Sequence, residues 1–169
     1  MVSAFSTELG LVLGQEKVAG KSNEITARIV EKGGDYLLAV KGNQPTLHQQ
    51  VRDLISDAQR ATDGFKHVDT AHGRTVLQLS WVAASGAEID PELWPGRKTV
   101  GCVVSQRVVG DKVAELEARY YISSRSLSAE ELTRTVRAHW AIENRLHWML
   151  DVCFGEDDCM IRKDHAPQN

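Results

Sequence analysis

Cysteine is scarce in this chain: three residues, Cys102, Cys153 and Cys159, in a length of 169. An odd, sparse set does not make a disulfide scaffold, and Cys153 and Cys159 lack the close pair spacing of a zinc knuckle or ribbon. The expected state is three reduced thiols serving as small buried hydrophobes. Long apolar runs are also missing. Stretches such as Tyr36 to Val40 fall far short of the roughly 20 residues that a membrane-spanning helix needs. The first ten residues hold no basic stretch and contain Glu8, so no secretory signal is expected and a cytoplasmic location follows. Nor is there a surplus of positive charge: Lys and Arg number 20 against 23 Asp and Glu, a net charge of -3. A free-standing nucleic-acid binder is usually basic, so any such contact must come from a local patch or a site built around metal ions. Internal repeats and low-complexity segments are absent.

What is present reads as one ordinary domain, with 42% hydrophobic and 25% charged residues, a globular balance. Val2 to Phe5 and Leu11 to Val18, joined through Glu8-Leu9-Gly10, predict a hairpin. Asn23 can cap a short helix over Glu24 to Lys32, which carries Ile25, Ile29 and Val30 and is stopped by Gly33-Gly34. Asp35 to Val40 is a continuous apolar run suited to a strand covered on both faces. Lys41-Gly42-Asn43-Gln44 ends it. Pro45 then takes a first helical position, and Leu47, Val51, Leu54 and Ile55 recur at helical spacing to about Ala58.

From Phe65 to Ser124 the pattern turns to β. Val76–Val82, Thr99–Val108 and Val113–Ser123 predict three strands of an antiparallel meander set apart from the first sheet, with Val109-Gly110-Asp111-Lys112 as a tight hairpin turn. Trp94-Pro95-Gly96 marks a loop. Ser128-Ala129-Glu130-Glu131 is a capping box opening a helix that runs to about Val152.

On that helix His139, Glu143, His147 and Asp151 are spaced four apart. Each step rotates about 40°, so the four share one stripe, with apolar residues mainly opposite. Three roles fit the stripe: a solvated helix face, a His-Glu-His metal site with ligands from successive turns, or a single carboxylate, Glu143, that joins carboxylates from elsewhere around a divalent metal.

Longer motifs carry a resemblance. Gly34-Asp35-Tyr36-Leu37-Leu38-Ala39-Val40-Lys41-Gly42-Asn43-Gln44, Arg119-Tyr120-Tyr121-Ile122-Ser123-Ser124 and, most specific, His139-Trp140-Ala141-Ile142-Glu143-Asn144-Arg145-Leu146-His147-Trp148-Met149-Leu150-Asp151-Val152 closely resemble the ISAs-type, H-repeat-associated insertion-sequence transposases of the DDE group. The likeness extends through Glu156-Asp157, Ile161-Arg162-Lys163, Lys21-Ser22-Asn23-Glu24 and the Trp94-Pro95-Gly96 loop, and so covers nearly the whole chain. It implies an α/β fold: an RNase H-like core with a mixed sheet and helices, and an antiparallel β insertion before a long C-terminal helix. It also implies strand cleavage and joining of DNA at transposon ends by two Mg²⁺ or Mn²⁺ ions held by carboxylates. Glu143 matches the family's third catalytic and metal-binding acid. Where the wider DDE group shows a tyrosine, an arginine and a lysine around that glutamate, this chain has Val136, His139 and Leu150.

The departures from the family are as telling. Its first aspartate lies on a strand upstream of Met1-Val2-Ser3-Ala4-Phe5. Its second lies on a strand, preceded by a helix, between pieces that here run together at Thr26 to Arg28. Asp35 and Asp53 do not replace it by motif. At the other end the family continues past Asn169 into another helix. The expectation is a partial RNase H-like core over residues 1–60, a β-rich insertion over 61–127 and a C-terminal helix and tail over 128–169. In such a core Val2 to Phe5 could pair directly with Asp35 to Val40. A chain so deleted is expected to be catalytically incompetent. The alternative is a non-catalytic module that binds DNA, intact transposase or itself and acts as an inhibitor. Candidate DNA contacts are Lys41, Asn43 and Gln44 at a strand exit, His72 and Arg74 in the insertion, and Arg137, His139 and Arg145 beside Glu143. A metalloenzyme using His139, Glu143 and His147 is a third possibility.

Overall fold

A computed structural model describes residues 2–6, 11–16, 22–71 and 73–142, with side chains placed for 25–71 and 73–140. The chain divides into two compact units, one of Met1–Val2 with Glu16–Arg134 and the other of Ser3–Gln15 with Thr135–Asn169. Two strands, β1 (Val2–Ser6) and β2 (Leu11–Glu16), pair in a two-stranded sheet, as expected of the hairpin.

The remaining elements are α1 (Ser22–Glu31), β3 (Leu37–Val40), α2 (Pro45–Ala61), β4 (Phe65–Ala71), β5 (Arg74–Ala84), β6 (Thr99–Val109), β7 (Lys112–Val113), β8 (Glu117–Ser123) and α3 (Ala129–Ile142). Helix α1 begins two residues earlier than the sequence predicts, which puts Asn23 inside the helix. Its end is local chemistry. Gly33 sits at φ +74, the Gly33 N–H donates to Val30 O and the Gly34 N–H to Ile29 O, both at 2.9 Å. That is a Schellman closure, whose left-handed residue is best supplied by glycine. Helix α2 starts with Pro45 in its first turn. The capping box forms as predicted: the Glu131 N–H donates to Ser128 Oγ at 3.2 Å, and the Ser128 N–H donates to Glu131 Oε2 at 2.8 Å. Helix α3 is described as far as Ile142, and the predicted extension to Val152 lies outside the described residues.

The large sheet has six strands in the order β3-β8-β6-β5-β4, with β7 paired to β6, and its pairs are antiparallel. Pattern alone sets the meander apart from the strand at 35–40. The structure corrects this, because β3 pairs with β8 through Leu37↔Ser123 to Val40↔Tyr120. The expected pairing of Val2–Phe5 with Asp35–Val40 is not the one formed: β1 pairs β2, and β3 pairs β8. Among the described residues β3 stands at one end of the strand order. Two serines fasten it. Ser123 Oγ donates to Tyr36 O at 2.9 Å, and Ser124 Oγ accepts from the Tyr36 N–H at 2.9 Å while donating to Asp35 Oδ1 at 2.8 Å. Strand β4 escapes the three-strand prediction. Its alternation of half-buried Phe65, His67 and Asp69 with exposed Lys66, Val68 and Thr70 mixes polar residues into both faces.

One face of the sheet carries Val40, Val100, Cys102 and Ile122, and they share the main core with Leu47, Val51 and Ile55 of α2. The loop between β5 and β6 folds Ile89 and Trp94 into the same cluster. The first turns of α3 cover the other face. Leu132 lies against Gly101, where an added Cβ would collide with it. Ser80 Oγ meets Thr133 Oγ1 at 2.7 Å and donates to Ala129 O at 2.9 Å. Cys102 is a buried free thiol whose pKa burial raises to about 11, as expected of a packing residue. Cys153 and Cys159 lie outside the described residues. Among the described residues no helix is long and apolar enough to cross a membrane.

Candidate functional site

The residues proposed from sequence fall in separate places. Glu143, His147 and Asp151, with Arg145, lie outside the described residues, and so does His72. Lys41, Asn43 and Gln44 occupy one turn between β3 and α2, closed by the Gln44 N–H donating to Lys41 O at 3.0 Å. Lys41 and Asn43 are exposed and Gln44 is half-buried. Arg74, also exposed, opens β5 opposite Val109, at the far end of the long strands from that turn. Arg137 is half-buried and His139 exposed on the last turns of α3.

The turn at Lys41 has neighbours that the motif did not single out. Val40 is the register partner of Tyr120 on β8. The Tyr120 ring meets His48 of α2 edge-on, with centroids 5.0 Å apart and planes at 81°. Arg52, one helical turn after His48, hydrogen-bonds the Tyr120 side chain. Burial raises the Tyr120 pKa, and the charge and hydrogen bond of Arg52 offset this in part. The phenol therefore keeps its proton at neutral pH. The signal available in sequence was the His48/Arg52 pair at i, i+4 on a helix following a strand exit. Their meeting with Tyr120, some seventy residues on, was not readable there.

The nearby acidic side chains are engaged elsewhere. Asp53 Oδ1 accepts from Gln49 Nε2 at 2.8 Å, and Glu117 Oε1 lies 2.8 Å from Arg119 Nη2. Asp35 accepts from Ser124 and lies 3.9 Å from Arg125. Among the described residues no group of three His, Cys, Asp or Glu is placed to hold a metal ion. The described donors therefore do not fit a two-metal carboxylate centre, which needs several converging oxygens.

Comparison with known proteins supplies the family. The model of the transposase DDE domain matches residues 1–169. Relatives include "Putative protein YbfL" of Escherichia coli strain K12, 35% identical over 208 residues, covering 99% of this chain and 54% of the relative. "Putative transposase YncI" of Escherichia coli O157:H7 is 37% identical over 207 residues, covering 99% of this chain and 52% of the relative. "H repeat-associated putative transposase YhhI" of strain K12 is 35% identical over 208 residues, again covering 99% and 54%. No solved structure matches. The chain spans about half the length of the curated relatives it matches. With a family model matched end to end and relatives 35–37% identical aligned over 99% of its length, the chain belongs to the DDE transposase family.

Proposed function

We propose that the chain derives from an insertion-sequence transposase whose chemistry is metal-dependent cleavage and transfer of DNA strands, and that in this form it is catalytically incompetent. One observation carries the second half. Helix α1 runs unbroken from Ser22 to Glu31, through Thr26–Arg28, and only a short turn separates it from β3. No strand intervenes where the family resemblance calls for the one bearing the second aspartate. The alignment with YbfL supports a gap inside the chain, since it extends over 208 residues while this chain has 169. Glu143 remains the family's third acid by motif, the residue that would hold Mg²⁺ or Mn²⁺ together with two aspartates. A site short of the second aspartate lacks oxygen ligands that two such ions need for charge balance and coordination.

The test is incubation of supercoiled plasmid with the purified chain and Mg²⁺ or Mn²⁺. Neither nicked nor linear product is expected. Nicking that disappears in Glu143→Gln would overturn the proposal, because it would show a complete site. The inhibitor reading, a module that binds DNA or intact transposase without cutting, is favoured by the cationic surroundings of Lys41.

A further inference from the structure

We infer that Lys41, His48, Arg52 and Tyr120 form a single contact surface for the phosphodiester backbone of DNA, independent of base sequence. The inference rests on the DNA-binding half of the function proposed above and gives it a location.

Four observations converge on one patch at the exit of β3. Lys41 leaves the strand directly after Val40, the residue paired across to Tyr120. His48 and Arg52 rise from α2 one turn apart, and both contact Tyr120, by ring edge and by hydrogen bond. Tyr120 is thereby engaged by two successive turns of α2. A phenol oxygen that accepts from a guanidinium still has its own O–H to donate, and phosphate oxygens only accept. Asp53, next to Arg52 in sequence, and Glu117, on the strand of Tyr120, are turned to Gln49 and Arg119, and among the described residues no ion pair engages Lys41 or Arg52. The first turn of α2 beside them carries no acidic residue and starts with Pro45, leaving the positive end of a 17-residue helix facing the same turn.

A chain with net charge -3 that presents cations around a fixed phenol is arranged to attract a polyanion locally. A planar guanidinium beside a point-charge ammonium suits successive phosphates on one strand, which carry no sequence information.

The experiment is fluorescence anisotropy of a labelled duplex of arbitrary sequence with the full chain, titrated at several salt concentrations. Binding by the parent chain is expected to fall steeply with salt. Arg52→Gln and Lys41→Gln are each expected to weaken it about tenfold, as loss of a charge-assisted contact does. Each should also lower the salt slope by about 0.9, one phosphate fewer. Arg52→Lys should keep the slope and lose part of the affinity. Arg60→Gln removes the same charge at the other end of α2 and should leave binding unchanged. Urea midpoints equal to the parent's show that Arg52 and Lys41 variants stay folded, as their exposure predicts.

Parent binding that is unaffected by Lys41→Gln and Arg52→Gln overturns this surface and leaves the DNA-binding reading standing. A parent chain that binds no duplex overturns both. Competition by polyglutamate as effective as by unlabelled DNA at equal charge also overturns the inference and assigns the patch to an acidic protein partner.

Discussion

Strands β5 and β6 are eleven residues each and run side by side in full register, yet their two halves live in different surroundings. From Thr99 to Val103 every residue of β6 is buried, between the α2 core and the start of α3. From Arg107 to Val109 the strand is largely open to solvent. Val100 is fully buried while Val109 is 45% exposed, and Val68 on β4 and Val113 on β7 are exposed too. The residue types barely differ, and what changes is the supply of covering elements. The near half is a three-layer core. The far half, with β4 and β7, is a ribbon held by β5–β6 pairing in register, whose side chains contribute little burial. Stability is therefore expected to be concentrated where β3 and β8 join the sheet.

The sharpest way to break that comparison is Ile122→Ala against Val109→Ala. Ile122 is fully buried between strands and core, so its truncation should cost about 2–5 kcal/mol. Val109→Ala should stay within about 0.5 kcal/mol. Urea unfolding followed by tryptophan fluorescence measures both, and comparable losses would mean the ribbon is as well packed as the core. A smaller effect comes from adding a methyl where α3 meets the sheet. In Gly101→Ala the new Cβ meets the Leu132 side chain and sits 3.3 Å from Trp81 O, an overpacking expected to cost about 1–3 kcal/mol. Gly42→Ala, with nothing within 4 Å, should leave the urea midpoint nearly unchanged. A loss smaller than at Gly101 is expected at the capping box, where Ser128→Ala should cost about 1 kcal/mol. Glu131 has its pKa lowered, first by the backbone and side-chain hydrogen bonds with Ser128. A carboxylate depressed in the folded state contributes stability above its unfolded pKa and loses it as pH falls through the folded value. The urea midpoint should therefore fall on acidification below about pH 4.5, and Glu131→Gln should flatten the part of that fall that belongs to the cap.

The two ends of the strand order differ as well. Strand β4 mixes Lys66, His67 and Asp69 into its sequence, the usual protection of an edge. Strand β3, Leu-Leu-Ala-Val, has none. Among the described residues, β3 is thus the apolar end of the strand order and β4 the polar one.

How much of this was legible depended on range. The capping box at Ser128–Glu131, Pro45 at the start of α2, the Gly33 stop and the Gly110 turn, with its φ of +57, were readable because each is decided within a few residues by steric and hydrogen-bonding rules. Strand β4 was missed because an edge strand has no strong face-to-face pattern to display. The run Asp35–Val40 was legible as a strand from its continuous apolar content, but its partner β8, about eighty residues on in sequence, was not. For the candidate site, Lys41, Asn43 and Gln44 came from a strand-exit pattern, while His48, Arg52 and Tyr120 needed the register of β3 on β8 to be seen as one group.

The sequence by itself determined the family, through motifs spread over nearly its whole length, and the local starts and stops of its helices. Only the tertiary structure decided that β3 pairs with β8 at the end of the described strand order, that burial fades along β5 and β6, and that Tyr120 meets both His48 and Arg52. Those outcomes depend on pairing and packing between segments far apart in the chain, where each residue's burial is set by what other segments cover it and not by its own chemistry.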